Sequence, residues 1–129
     1  MNDPIADFLI RIKNAALANH QVVTVPFSGV KKSLAQVLQK EKFLEKVEVR
    51  EDGKKKQLVV TLAETQGKPR LIEVKRISKP GKRVYIKAGE IPAFKRGLGV
   101  IIISSPQGLM TASEALKKRL GGEVICRII

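Results

Sequence analysis

The chain has one cysteine, one histidine and no tryptophan among its 129 residues. A single cysteine excludes a disulfide framework. Cys126 and His20 lie at opposite ends of the sequence, so a zinc site built on Cys and His lacks its four ligands, and neither a metal nor a cofactor is expected. Aromatic residues are scarce too: Phe8, Phe27, Phe43, Tyr85 and Phe94 make up 4% of the chain, too few for a sheet that stacks several bases. The apolar stretch after Gly99 runs only from Val100 to Ile103, against the roughly 20 residues that a bilayer-crossing helix needs. At the N-terminus, Asp3 and Asp7 stand where a secretory signal carries a basic run. These absences predict a soluble, cytoplasmic protein that starts near Met1 and has no membrane anchor. At 43% hydrophobic residues, its composition is that of a folded domain, and a chain of this length buries roughly 65–70% of its unfolded surface without staples.

Acidic residues are the other deficit. Twelve Asp and Glu face 25 Lys and Arg, a formal net charge of +13. Divided at Gln66, the chain carries +3 before the division and +10 after it. Typical domains carry a charge magnitude of only ~2–8. A surplus of this size attracts polyanions and makes binding salt-sensitive, whereas folding does not require it. Nucleic acid is the partner it predicts first and an anionic membrane surface second; a solubility surface is the bland alternative. Catalysis finds little support. Gly97-Leu98-Gly99 precedes a strand pattern instead of opening a helix and lacks a third glycine, so it is no dinucleotide loop. Cys126 and Ser104 have only His20 as a candidate imidazole base, and Glu90 and Glu123 form no close acidic pair. No enzymatic activity and no small-molecule substrate are expected.

The order of elements predicts an α+β fold. Asp3-Pro4 reads as a helix start, with Asp as N-cap and Pro at the first helical position. Ile5, Phe8, Leu9, Ile12 and Ala16 then form an apolar stripe that leaves Arg11, Lys13 and Asn14 toward solvent. Val22 to Val25 reads as a strand closed by Pro26, and Ser28 caps a second helix with a stripe of Val30, Leu34, Val37 and Leu38, off which stand Lys31, Lys32 and Lys40. Val47 and Val49, then Leu58, Val60 and Leu62, form a hairpin across Asp52-Gly53. Lys54, Lys55 and Lys56 beside that turn read as a solvated loop, with phosphate contact as the alternative. This helix-strand-helix-hairpin unit is expected to fill residues 1–66, with a boundary at Gln66-Gly67-Lys68-Pro69 and a mainly antiparallel β subdomain with a short helix over residues 67–129.

In that second part the set Leu71, Ile72, Glu73, Val74, Lys75, Arg76 and Ile77 predicts a strand, Pro80-Gly81 a type II turn, and Val84-Tyr85-Ile86 a further strand. An irregular stretch follows with Pro92, Gly97 and Gly99. Val100 to Ile103 reads as a buried strand that ends in a polar loop, Ser104 to Gly108. Thr111 with Glu114 predicts a capping box for a helix that stops at Gly121-Gly122, and Glu123 to Ile129 a last strand in which Cys126, alternating with Val124 and Ile128, is a packed thiol.

Phosphate donors are plentiful: Arg11, Lys13, Lys31, Lys32, Lys79, Lys82, Arg83, Lys87, Lys95 and Arg96. Tyr85 offers one planar face for an unstacked base or a ribose. The loop at Ser104 to Gly108 has two hydroxyls, the Gln107 amide and a glycine that permits close backbone approach. Both the loop and Tyr85 also read as ordinary structural features, a link and a surface strand residue. Taken alone, the residues predict a basic, two-part domain that binds RNA by shape; the rivals are a generic basic DNA- or membrane-binding surface and, third, an enzyme acting on RNA.

Several fragments together carry a resemblance. Asp3-Pro4-Ile5-Ala6-Asp7, Arg11-Ile12-Lys13-Asn14, Ser78-Lys79-Pro80-Gly81, Arg83-Val84-Tyr85, Gly97-Leu98-Gly99, Gly108-Leu109-Met110-Thr111 and Gly121-Gly122-Glu123-Val124-Ile125-Cys126 occur in this order. As a set they resemble the bacterial family of the eighth protein of the small ribosomal subunit, over essentially the whole chain. The resemblance implies a structural constituent of that subunit that docks directly on the central domain of its rRNA and promotes folding and assembly. It implies that the C-terminal subdomain grips an irregular core in an rRNA hairpin while the N-terminal subdomain touches a neighbouring helix. It places Ser104, Ser105, Gln107 and Gly108 in the family's recognition loop, Tyr85 as its strand aromatic, Glu123 as the acid beside the glycine pair, and Arg11, Lys13 and Asn14 on its first-helix RNA face. The family loop commonly reads Ser-Thr-Ser-Lys-Gly, and Pro106 and Gln107 here remove one hydroxyl and one charge. Glu123 is expected either to accept from a base amino group or to orient Arg or Lys side chains. Also implied are contacts with neighbouring ribosomal proteins, a monomeric free state, and repression of its own messenger where that RNA copies the rRNA site.

Overall fold

A computed structural model describes residues 4–71, 73–94, 97 and 99–129, and the chain divides into two compact units, Asn2–Ile72 and Glu73–Ile129. The expected N-cap at Asp3, the strand position of Ile72, Lys95, Arg96 and the middle of Gly97-Leu98-Gly99 lie outside the described residues.

In the first unit the stripe predicted for helix α1 (Pro4–Leu17) is buried at Phe8, Leu9, Ile12 and Ala16, with Ala15 added. After strand β1 (Val22–Pro26), Ser28 Oγ accepts from the Lys31 backbone N–H at 3.2 Å and starts helix α2 (Gly29–Lys40). Its buried face is Leu34, Ala35 and Leu38. Val30 is 49% exposed, because it sits in the first turn, ahead of the part of α2 that packs. Strands β2 (Leu44–Asp52) and β3 (Lys55–Leu62) form the expected hairpin, and Gly53 takes φ +63° at the first loop position. β3 is the central strand, in the order β1-β3-β2, which is why Val59 is buried along with Leu58, Val60 and Leu62. The segment expected to be the boundary is itself a hairpin. Strands β4 (Glu64–Thr65) and β5 (Lys68–Pro69) pair across Gln66 and Gly67, whose φ values of 55° and 77° give the two left-handed positions of a type I′ turn. The first unit therefore continues past Gln66, and the units part between Ile72 and Glu73.

The second unit is a five-stranded antiparallel sheet organised around its last strand. It contains β6 (Val74–Arg76), β7 (Tyr85–Ile86), β8 (Val100–Ser105), β9 (Gly108–Thr111) and β10 (Gly122–Ile128). The path is β6-β10-β8-β9, with β7 also on β10. A 3-10 turn at Ala88–Glu90 and the short helix α3 (Ile91–Phe94) occupy the stretch read as irregular. Helix α4 (Ala112–Lys117) starts as expected, with Thr111 Oγ1 accepting from Glu114 N–H. A core of Ile86, Ile91, Ile101, Ile103, Met110, Ala115 and Val124 lies between these elements; each fully buried aliphatic side chain contributes about 1.5–3 kcal/mol.

Three local readings are corrected. The expected five-residue loop after Ile103 is a hairpin whose connection is Pro106 and Gln107 alone, since Ser104 and Ser105 extend β8 and pair with Leu109 and Gly108; alternation continues through polar residues, and the apolar run ends before the strand does. Lys79 and Lys82 exchange two backbone hydrogen bonds of 2.9 Å around Pro80-Gly81, but Gly81 is not left-handed, so the type II conformation, which requires φ > 0 there, is not used. α4 ends before the glycine pair, at Lys118, because Arg119 makes the left-handed turn.

That ending recurs. Asn19, Lys42 and Arg119 take φ values of 58°, 68° and 55° just after α1, α2 and α4. In each case the next residue's N–H reaches back to the helix: His20 to Ala15 O at 2.8 Å, Phe43 to Leu38 O at 2.9 Å and Leu120 to Ala115 O at 2.8 Å. These are Schellman ends made without glycine. A left-handed L-residue costs roughly 1–2 kcal/mol, of which the extra chain entropy of glycine takes back a part. Lys42→Gly and Arg119→Gly are each expected to stabilise the free protein by about 0.5–1 kcal/mol, measured as a higher urea midpoint at unchanged slope; a lower midpoint would show the side chains to be needed there.

Candidate nucleic-acid interface

Pairing register brings the expected recognition residues of the second unit into one row. Glu123 on β10 lies opposite Tyr85 on β7 and opposite Ser104 on β8, and Ser104 lies opposite Leu109 on β9. Residues directly opposite share a sheet face, so aromatic ring, carboxylate and hydroxyl stand side by side across three strands. Tyr85 is 68% exposed, leaving its ring open for stacking. The glycine pair makes the row possible. A Cβ on Gly122 would collide with the Ser104 carbonyl oxygen, and one on Gly121 would collide with the Ile86 carbonyl oxygen.

Glu123 is held from below by Ser78, the first residue of the Ser78-Lys79-Pro80-Gly81 fragment. Ser78 is fully buried; its Oγ donates to Glu123 Oε2 and accepts from the Val84 backbone N–H at 3.1 Å. Arg83 donates to the same Oε2 at 3.0 Å. Burial pushes the Glu123 carboxyl up, but the hydrogen bonds from Ser78 and Arg83 and the charges of Arg83 and Arg76 outweigh it and hold the carboxyl below its ordinary 4.5. Of the two expected roles, orienting an arginine is the one this geometry contains, while Oε1 accepts nothing from the described residues. The signal for Ser78 was available: Glu123 is a rare acid in the +10 part of the chain, and such a half-buried carboxylate needs donors.

Ser105 is committed to its own turn. Its Oγ donates to the Gly108 carbonyl at 2.9 Å and accepts from the Gln107 N–H at 3.1 Å. With its proton used there, Ser105 shapes the turn and leaves Ser104, the Gln107 amide and the Gly108 backbone, at φ +115°, as the groups presented outward. Lys79 and Lys82 sit exposed on the turn that Ser78 anchors. Cys126 is fully buried, with its thiol pushed up to about 12 by burial against the opposing charge of Arg76, so it is a packed neutral group.

In the first unit Arg11 and Lys31 line one cleft beside β1. Arg11 Nη1 donates to the Thr24 carbonyl at 3.1 Å and Lys31 Nζ to the Pro26 carbonyl at 3.1 Å. Both cations thus cover acceptors of an edge strand while keeping their charge. Lys13, Asn14 and Lys32 stand on α1 and α2 outside that cleft. Among the described residues no group of three or more His, Cys, Asp or Glu could hold a metal ion, and no helix is long and apolar enough to cross a membrane.

The family model for ribosomal protein S8 matches residues 3–129. The chain belongs to that family. It is 52% identical to the small ribosomal subunit protein uS8 of Caldanaerobacter subterraneus subsp. tengcongensis, over 99% of this chain and 98% of that one. It is 50% identical, with the same coverage, to the proteins of that name from Streptococcus uberis and Streptococcus thermophilus. As a member of the ribosomal protein S8 family it is a structural component of the small ribosomal subunit, located in the ribosome in the cytoplasm, and it is not an enzyme.

The Ser78–Glu123–Arg83 arrangement carries a pH signature. A carboxyl lowered by folding contributes stability that is present above its unfolded value and is lost as pH falls through its folded value. Glu123→Gln is expected to cost about 1–3 kcal/mol at pH 7 and to flatten the acid limb of the stability curve below the ordinary value of 4.5. Urea midpoints at pH 7 and through the acid range measure both; an unchanged acid limb would remove Glu123 as its source.

Proposed function

We propose that the protein binds small-subunit rRNA directly, on the central domain, and that its second unit recognises an irregular hairpin core there while its first unit touches an adjoining helix. The observation that carries this reading is the Tyr85–Glu123–Ser104 row, a stacking face beside a carboxylate and a hydroxyl that can hydrogen-bond. Lys79, Lys82 and Arg83 flank it as phosphate donors. Gln107 and Gly108 extend the readable edge, and Ser105 keeps them in place. Arg11, Lys13, Asn14, Lys31 and Lys32 form the supporting face of the first unit. A site of this kind gains specificity from splayed bases, since A-form duplexes hide their major-groove edges. Holding that fold early promotes assembly of the subunit. Neighbouring ribosomal proteins are further partners, and the protein's own messenger becomes a ligand wherever a hairpin in it reproduces the same core.

A titration against a central-domain rRNA hairpin and a length-matched perfect duplex, each across a salt series, tests the reading. The hairpin is expected to bind about 10³-fold more tightly, with the preference kept as salt rises. Tyr85→Ala should cost about 1–3 kcal/mol on the hairpin alone. Lys82→Ala should weaken both RNAs alike and reduce the salt slope by about one. Equal affinities that collapse together with salt would leave a merely basic surface.

A further inference from the structure

At the β6 edge of the second sheet, reaching onto the face opposite the Tyr85 row, lies a groove of about 640 Å³. The register defines the two faces. Arg127 on β10 is opposite Ile101 on β8 and Lys75 on β6, whereas Glu123 is opposite Ser104 and Tyr85. Ile101 belongs to the core face, and Ser104, three positions along β8, points the other way. Lys79 and Lys82, which flank the Tyr85 row, and Arg76, opposite Cys126, also border this groove, so the two sites share cations at the sheet edge, while Lys75, Arg127, Val84 and Phe94 belong to the groove.

The groove has an unusual charge arrangement. Lys75, Arg76, Lys79, Lys82 and Arg127 border it, with Glu73 as the acid among its lining residues. Lys75 and Arg127 are a directly opposed cross-strand pair, a placement of like charges that destabilises an antiparallel ladder. Arg127 is kept at the groove wall by a 3.2 Å hydrogen bond from Nη2 to the Phe94 carbonyl. Between the cations lie Ile77, Val84 and Phe94, half-buried and packed on the core. Among the described residues β6 is an edge strand that pairs with β10.

We propose that this groove docks an extended acidic peptide segment of a neighbouring protein, with carboxylates on the Lys75–Arg127 and Lys79–Lys82 cations and an apolar side chain over Phe94 and Val84. Charge complementarity requires the anions, and the apolar floor distinguishes their source. A nucleic acid covers apolar surface only where a base turns in to stack, and Ile77 and Val84 beside Phe94 give a branched aliphatic floor and not a planar stacking face. An extended peptide alternates side chains at the spacing of a strand and brings backbone groups to the open edge of β6.

The test uses the full chain and fluorescence anisotropy with short labelled peptides: alternating Glu and Leu, Gln and Leu, and Glu and Ser, beside a single-stranded oligouridine of matched charge. The Glu–Leu peptide is expected to bind at least about tenfold more tightly than either control. Lys75→Glu should abolish that advantage without lowering Tm, because the new carboxylate faces Arg127, while Lys117→Glu, the same charge change on α4, should leave it intact. Equal losses from both variants would overturn the proposal, and so would equal binding of the three peptides. Oligouridine that outcompetes the Glu–Leu peptide and is lost with Lys75→Glu would make the groove a phosphate site, again overturning it. Lys75 is outside the Tyr85 row, so Lys75→Glu is expected to keep the hairpin preference, which separates a failure of this proposal from a failure of the hairpin reading.

Discussion

The second unit depends on how closely the backbone at the start of β10 approaches its neighbours. Gly121 and Gly122 leave no room for a Cβ against the carbonyls of Ile86 and Ser104. With side chains there, β7 and β8 would separate from β10 by more than a strand spacing allows. Their closeness sets Glu123 between Tyr85 and Ser104, and it brings the chain before β7 under β10, so that Ser78 reaches the carboxylate. Anchored this way, the Lys79–Lys82 turn has a fixed base, and its cations do not have to be ordered when a polyanion arrives, which reduces the entropic cost of binding.

A second constraint in the same strand separates two jobs. Between Val124 and Cys126 the register with β8 shifts by one residue, a bulge that leaves Ile125 without a partner of its own. Beyond it, every side chain of β10 is on the opposite face from the one that simple alternation gives. Cys126 and Ile128 are buried on the face that Glu123 occupies, and Arg127 turns to the core face beside Lys75. Without the bulge Arg127 would join Glu123, and the cations of this unit would collect on a single face. The extra residue is not wasted, because the Ile125 carbonyl accepts from Arg76 Nη1 at 2.9 Å and from the Ile77 N–H at 3.1 Å.

What could be read from the sequence divides along physical lines. Elements whose signal is local were legible: the α1 stripe, the Ser28 and Thr111 caps, the Gly53 hairpin and the apolar core of β8 all follow from periodicity, capping chemistry and turn residues. Elements decided by tertiary contact were not. Asn19, Lys42 and Arg119 end helices in a conformation for which their side chains give weak warning or none, since the hydrogen bond from the next residue's N–H back to the helix, joined at Leu120 by packing on the core, offsets the local strain. The Gln66-Gly67 turn reads as a subdomain boundary because its strands are two residues long, too short for a periodic signal. In the candidate site, the residues were legible as types and their division of labour was not: Ser105 and Ser104 are adjacent hydroxyls, and only pairing with Gly108 and Glu123 assigns one to the turn and the other to the row.

A chain with a net charge of +13 must fold against its own repulsion, and the distribution of its cations shows how that is offset. Arg11, Lys31, Arg76 and Arg127 each donate to a backbone carbonyl, of Thr24, Pro26, Ile125 and Phe94 respectively. Ion pairing with carboxylates would neutralise the surface, whereas a carbonyl supplies a partial negative charge and satisfies a polar group while the full positive charge remains. Each such bond contributes to stability about what a hydrogen bond to a charged group does, roughly 1.5–3 kcal/mol where it is shielded from water and less where it is exposed. The arrangement keeps the field that a polyanionic partner needs and fixes its sources on strands and helix faces. At these four positions the backbone acceptors carry no net charge to cancel the cation, whereas Arg83 is held by the Glu123 carboxylate.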